Sequence, residues 1–293
     1  MALRMTVDVF SGRPNPTIEL EGPEAREVLE RLRPVRRLSE DETGLPSEPI
    51  LGYRGLVVEQ VGDELVEEFP PTFRVAGSDL FGPGLAHRAA DEGFEDFVFG
   101  RTGLLRRLDE EEDFFESLQT EVQRFQDVRE RALRPHFIPW PWARRCGCAP
   151  PYEPGWWNVP ARQPYNNCYN YATNYRSDTF AQPGLASGAM YASLSCADVL
   201  AAAVRDELVD SPGADNHCPT EGHLVALVVW PGGDFHWYRK GRNGAWTHKP
   251  GGTAVTNVDN AGSVISDPRT ADRGPYTDFC TFMVVMHGHI KIA

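Results

Sequence analysis

No apolar run in this chain approaches the ~20 residues that a membrane-spanning helix needs, so a membrane protein of that kind is not expected. The first residues, "MALRMTVDVFSGRPNP", contain neither an apolar h-region nor a small-residue cleavage site. A reducing, cytoplasmic location is the expectation that follows. Basic stripes are missing as well. With a formal net charge of -13, nucleic acid is excluded as a partner, because phosphate binding requires clustered Lys and Arg. The basic cluster "LRPVRRL" (Leu32 to Leu38) adjoins an acidic run and reads as a solvated helix end. Cysteine is scarce, six in 293 residues. In a cytosolic chain these are expected as thiols or ligands rather than a disulfide framework. No internal repeat and no low-complexity tract is present.

What remains is the composition of a globular protein, 41% hydrophobic and 24% charged, long enough for two domains. The fold class expected is α+β, with an N-terminal α+β module over residues 1–135 and a second domain over 136–293. In the first, "MTVDVFSG" and "TIEL" read as strands around a turn at "RPNP", followed by a helix "GPEAREVLERLR" and a buried strand "GYRGLVVEQV". A long helix from Leu104 to Leu133 carries Leu105, Leu108, Phe115, Leu118, Val122 and Phe125 as one apolar stripe. A Pro/Trp-rich lead-in, Arg134 to Pro164, is too apolar for a tether and too Pro-broken for a helix. The second domain places helices first: "CYNYATNYRSDTF", stopped by Pro183 and Gly184, then "SCADVLAAAVRDELV", capped by Ser195. Strands "HLVALVVW", "FHWYRK", "AWTHKP" and "TFMVVM" follow, giving a helical lobe plus an antiparallel sheet.

The hairpin "FHWYR-KGRNG-AWTHK" brings chemistry-bearing residues together. Centred on Arg242, it sets His236 opposite His248 and Tyr238 opposite Trp246, all on one face, with opposed Cβ atoms roughly 5 Å apart. Thiol catalysis needs a stabilised thiolate, a base and a group that orients the base. Cys168, at the start of its helix, is the expected nucleophile, because unpaired N–H groups there favour the anion. His236 is the expected base and His248 its orienter. Gln163, Asn166 or Asn167 is placed to give an amide N–H to an oxyanion, and Asn167, Tyr238 and Trp246 to line the substrate pocket. His223 competes for the role of partner. With Val229 opposite His236, however, it lies about 20 Å along its strand at ~3.3 Å per residue.

These residues resemble the papain-like cysteine peptidases. "NNCYNYA" is similar to their cysteine segment, where an aromatic, a small residue and another aromatic follow Cys at the opening of the central helix. The order, Cys on a helix and then His on a strand of the following sheet, is also similar, and Gln163 corresponds to the family's oxyanion-hole Gln at an offset one shorter. A third His resembles the Cys-His-His arrangement of NlpC-type peptidases. The resemblance covers about Gln163 to Met286. It departs at Asn170, where the family carries a small residue, and Asn257 or Asp259 stays open as a substitute for His248. It implies a papain-like fold and a cofactor-free, metal-free thiol hydrolase or acyltransferase. Such an enzyme would form an acyl-enzyme on an amide or thioester of a small peptide or acylated small molecule, with a carrier protein or a second copy of the chain as further partners.

A buried, quiet Cys168 among tyrosines is the simplest competing reading. A second is a non-catalytic binding protein of the same fold carrying a structural zinc on His217, Cys218 and His223 of "HCPTEGH", completed by Cys196 or by Cys146 and Cys148 of "CGC".

Overall fold

The computed structural model describes residues 1–38, 49–62, 64–91, 93–100, 103–108, 112–131 and 146–293. The expected domain boundary at 135/136, Leu133 at the expected helix end, and Trp140 and Trp142 of the lead-in lie outside the described residues. The chain divides into two compact units. One comprises Met1–Val9, Asn15–Glu48 and Tyr53–Leu133, the other Phe10–Pro14, Pro49–Gly52 and Arg134–Ala293.

The first unit is built on β1 (Ala2–Val7), β2 (Thr17–Glu21), α1 (Gly22–Arg31), β3 (Pro34–Arg37), β4 (Leu56–Val61), β5 (Thr72–Ala76), β6 (Asp79–Gly82), β7 (Leu85–Ala89), α2 (Phe94–Phe99) and α3 (Glu112–Arg131). Its strands form one antiparallel sheet in the order β2-β1-β4-β5-β6-β7-β3. Alternation buries Leu3, Met5 and Val7 of β1 on one face. Helix α1 follows its apolar stripe, burying Ala25, Val28 and Leu29, with Glu24 in its first turn and Arg31 in its last. Two expectations hold only in part here. "LRPVRRL" begins at the helix end, with Leu32 as the C-cap of α1, but goes on as β3, paired with β7, because Pro34 cannot continue the helix. The long helix is divided as well: Leu104–Arg107 form a separate 3-10 turn, and α3 begins at Glu112. Asp8 is buried and paired to Arg54 at 2.6 Å and Arg74 at 2.7 Å. Burial opposes its charge, but the two guanidiniums outweigh that and hold the carboxyl well below its ordinary range.

The second unit contains α4 (Pro154–Trp157), α5 (Cys168–Thr173), α6 (Cys196–Arg205), β8 (Val209–Asp210), β9 (His223–Trp230), β10 (Asp234–Lys240), β11 (Trp246–His248) and β12 (Asp278–Val285). The strands make an antiparallel sheet ordered β11-β10-β9-β12-β8. Every residue of β9 is buried, as its unbroken apolar run requires of a central strand. Ser195 caps α6 by accepting from the Asp198 N–H at 3.2 Å. Helix α5 is shorter than expected. It stops at Thr173 because Asn174 adopts the left-handed conformation at φ 55°, well before Pro183. One face of the sheet packs Val225, Leu227, Val229, Phe235 and Trp237 against Cys168, Tyr169 and Ala172 of α5. Trp157 of the lead-in is buried edge-on against Tyr171, at 5.4 Å between centroids.

The molecule is α+β. No helix among the described residues is long and apolar enough to cross a membrane. The cysteines differ from expectation: Cys146 is bonded to Cys218 and Cys196 to Cys280, leaving Cys148 exposed and Cys168 buried as free thiols. Residues far apart in sequence approach to 5.3 Å between Cα atoms in both pairs, a distance at which a disulfide closes readily.

Candidate active site

Strand β11 pairs with β10 two residues out of the expected register, so His248 faces Tyr238, and Trp246 faces Lys240 rather than Tyr238. The hairpin turns around Asn243 with Gly244 at φ 80°, not around Arg242. A two-residue shift preserves which face each side chain takes. His236 and His248 therefore still meet, diagonally, with Nε2 of His236 2.9 Å from Nδ1 of His248. Tyr238 stacks on His248 at 4.9 Å and is fully buried, its hydroxyl without a hydrogen-bond partner among the described residues. Trp246 is buried, donates Nε1–H to Asn216 at 2.7 Å and stacks on Phe282, so its role is packing rather than pocket lining.

Strand β9 is one residue out of the expected register with β10: His236 faces Val228, not Val229. This single step turns His223 to the opposite face from His236. There its Nε2 lies 2.7 Å from the carbonyl of Ala172, and burial lowers its pKa to about 3.

The protonation pattern of the pair is fixed from one end. His248 Nε2 lies 2.9 Å from the Val258 carbonyl, which can only accept, so this nitrogen carries the proton. Nδ1 of His248 then accepts from Nε2–H of His236, and Nδ1 of His236 is left as a base. Its partner is Ser11, with Oγ at 2.5 Å. Burial lowers the His248 pKa to about 4, against a smaller upward pull from the Val258 carbonyl. His248, rather than Asn257 or Asp259, is therefore the side chain in contact with His236. Asp259 instead accepts from the N–H groups of Ala261, Ser263 and Asp272 and organises its own loop. Asn257 pairs through its carbonyl with Ile265 N–H.

Cys168 occupies the first position of α5, as expected, but the six-residue helix offers little dipole and the thiol is fully buried. Burial, reinforced by the charge of Asp234, pushes its pKa up rather than down, although the neighbouring Ser11 and Trp237 N–H act the other way. Strand β11 pairs with β10 over Tyr238–Lys240, so Asp234–Trp237 run on along this edge beyond it. The thiol abuts that edge, 3.9 Å from the Phe235 carbonyl. The Ser11 hydroxyl lies 2.5 Å from His236 Nδ1 and accepts from the Gly251 N–H at 3.2 Å.

Two side-chain amides converge on one carbonyl. Asn167 Nδ2 and Gln182 Nε2 donate to Gly12 O at 2.7 and 2.8 Å. Asn167 also caps α5, accepting from Tyr169 and Asn170 N–H at 3.0 and 3.1 Å, so it supports the helix as well as the carbonyl. Gln163, expected to supply this amide, lies on a 3-10 turn; its carbonyl accepts from Lys249, and its side chain bonds to no other described residue. Asn166 is tied to Arg162, Ser177 and Asp178. Ser11, Gly12, Gln182 and Asp234 escaped the reading of the sequence. The only signals were the tight turn "SGRPNP" and the Asp closing "PGGD".

The zinc alternative loses its ligands, since Cys146, Cys196 and Cys218 are in disulfides and His223 faces a carbonyl. No group of three or more His, Cys, Asp or Glu able to hold a metal occurs among the described residues.

No protein-family model matches the chain, and no solved structure matches it. It is 49% identical over 140 residues to insoluble matrix shell protein 1 of Ruditapes philippinarum, a match covering 47% of this chain and 91% of that protein. At that identity, and over nearly all of the relative, the chain belongs to the family of insoluble matrix shell protein 1.

Proposed function

We propose that the second unit is a papain-like, cysteine-dependent acyl-transfer centre, a hydrolase or acyltransferase acting on an amide or thioester, held latent by Ser11. The observation that carries this reading is the oriented base: Nδ1 of His236 unprotonated and aimed at Ser11, with Nε2–H fixed on His248. Packing two imidazoles and a hydroxyl in a core has no evident structural advantage, because each buried polar group must find a partner. Once Ser11 withdraws, the Cys168 thiol gives its proton to His236 Nδ1 as sulfur attacks the carbonyl carbon. Amide N–H groups of Asn167 and Gln182 face the oxygen that becomes negative. The C–N or C–S bond then breaks as His236 returns the proton to the leaving group, and water or an amine releases the acyl group.

Intact-mass analysis of the full chain with a panel of peptide thioesters tests this. An acyl adduct should map to Cys168, vanish in Cys168→Ala, and form about 10²–10⁴-fold more slowly in His236→Ala. No adduct on Cys168, either in the unaltered chain or with Asp234→Asn, overturns the reading.

A second reading has its own support. Two disulfides favour an oxidising compartment over the cytoplasm expected from the N-terminal residues, and the relative's name places that protein in a shell matrix. On this reading the chain is an extracellular structural or binding protein, and the fully buried Cys168 is a core residue. A folded, secreted chain whose Cys168 stays unreactive even with Asp234→Asn is its signature.

A further inference from the structure

Residues Phe10–Pro14 belong to the second unit, while their neighbours Val9 and Asn15 belong to the first. The segment is held largely through its backbone. The Asp234 carboxylate accepts three successive N–H groups, from Ser11 at 2.5 Å, Gly12 at 2.9 Å and Arg13 at 3.0 Å, and also the Tyr276 hydroxyl at 2.6 Å. The Gly12 carbonyl lies between the amides of Asn167 and Gln182. Side chains add to this: Ser11 Oγ on His236, and the Arg13 guanidinium on the Gly233 carbonyl at 3.2 Å and over the Phe10 ring.

One position is selective. A Cβ on residue 12 would overlap the Phe235 ring, with two of the ring carbons at 2.6 Å, and that ring is buried in the core. Only glycine fits. A short peptide read by its N–H and C=O groups, with a steric ban on any side chain at one residue, is recognised as a peptide bearing glycine there.

We infer that the cleft formed by Asp234, Asn167, Gln182, Phe235 and Gly251 is a binding site for glycine-containing peptides, and that Phe10–Pro14 is its resident occupant. The inference deepens the acyl-transfer reading and rests on it in one respect: the carbonyl between the two amides is the place of the reacting carbonyl, so the substrate class is a glycyl peptide or glycyl thioester. With the resident segment in place, the Ser11 hydroxyl holds His236 Nδ1 and the thiol has no base. A peptide arriving in trans must displace it.

The test reads Cys168 alkylation by iodoacetamide with mass mapping in the full chain, with exposed Cys148 as internal reference. Gly12→Ala, which drives the segment from the Phe235 ring, and Asp234→Asn, which weakens three N–H interactions, should each raise the Cys168 rate at least tenfold. Millimolar Ac-FSGRP-NH2 should return the rate toward the unaltered value, and Ac-FSARP-NH2 should not. Folded variants with unchanged Cys168 labelling overturn the inference, as does labelling that both peptides, or neither, suppress. Should both variants fail to fold, the unaltered chain carries the test. Millimolar Ac-FSGRP-NH2 should then accelerate hydrogen exchange at the Ser11–Arg13 amides, and no acceleration overturns the proposal. Peptide protection requires no turnover. A chain that is protected but forms no acyl adduct sinks the acyl-transfer reading alone, whereas adduct formation without glycine-dependent protection sinks only the peptide site.

Discussion

His223 and His248 are both held neutral, one against the Ala172 carbonyl and the other between His236 and the Val258 carbonyl. Burial lowers both, to about 3 and about 4, from an ordinary 6.5. Below 6.5 the unfolded chain therefore binds protons that the native chain does not, and stability falls with falling pH. The stabilisation is full above pH 6.5 and is lost progressively toward pH 4. The urea midpoint should decline steadily from pH 7 to pH 4.5, and a flat profile contradicts the burial of these rings. At this scale the sequence was partly legible. Cys168 at a helix start, and His236 with His248 on one face, follow from local pattern alone. Ser11 and Asp234 could not be found that way, because they act across separations of 225 and 223 residues. Nothing local distinguishes a Ser that reaches an imidazole from a Ser that ends a turn.

Elements were legible where the period of the apolar residues was strong, and register was not. The strands β9, β10 and β12 and the helices α1 and α6 follow their patterns, but the two sides of β10 slipped by different amounts. A shift of two kept His248 on the face of His236, whereas a shift of one carried His223 away from it. Turn geometry sets the register, and a Gly two residues from the assumed centre is enough to move it. Helix α5 shows the same limit, since its length is decided by Asn174 in the left-handed region rather than by the later Pro183. Its start depends on Asn167, which caps two N–H groups and donates to Gly12 and Ala181 carbonyls. Asn167→Ala should cost about 2 kcal/mol, roughly half from the lost cap and half from carbonyls left unpaired in the core. Denaturant unfolding checks this, and a loss under about 0.5 kcal/mol would show that water replaces the amide.

Across the whole molecule, all six cysteines fall in the second unit. The two disulfides close sequence separations of 72 and 84 residues, so on the chain-entropy account each stabilises the fold by about 4 kcal/mol. Tris(2-carboxyethyl)phosphine should lower the melting temperature of the second unit by more than 10 °C, and coincident melting of reduced and oxidised chains contradicts these pairings. Spacing alone could not reveal them, because an apparently cytosolic N-terminus made thiols the natural expectation. The change in texture along the chain suggests two domains. That a short stretch of the N-terminal residues belongs to the second unit could not be read there, since composition varies along the sequence and a compact unit is assembled in space. The Phe10–Pro14 segment carries one more consequence. It leaves the ribosome more than 200 residues before β10, so the cleft is never born empty: its ligand is already tethered to the same chain when Asp234 emerges. A tether of this kind acts as an effective concentration on the order of millimolar, and any peptide from outside begins at that disadvantage.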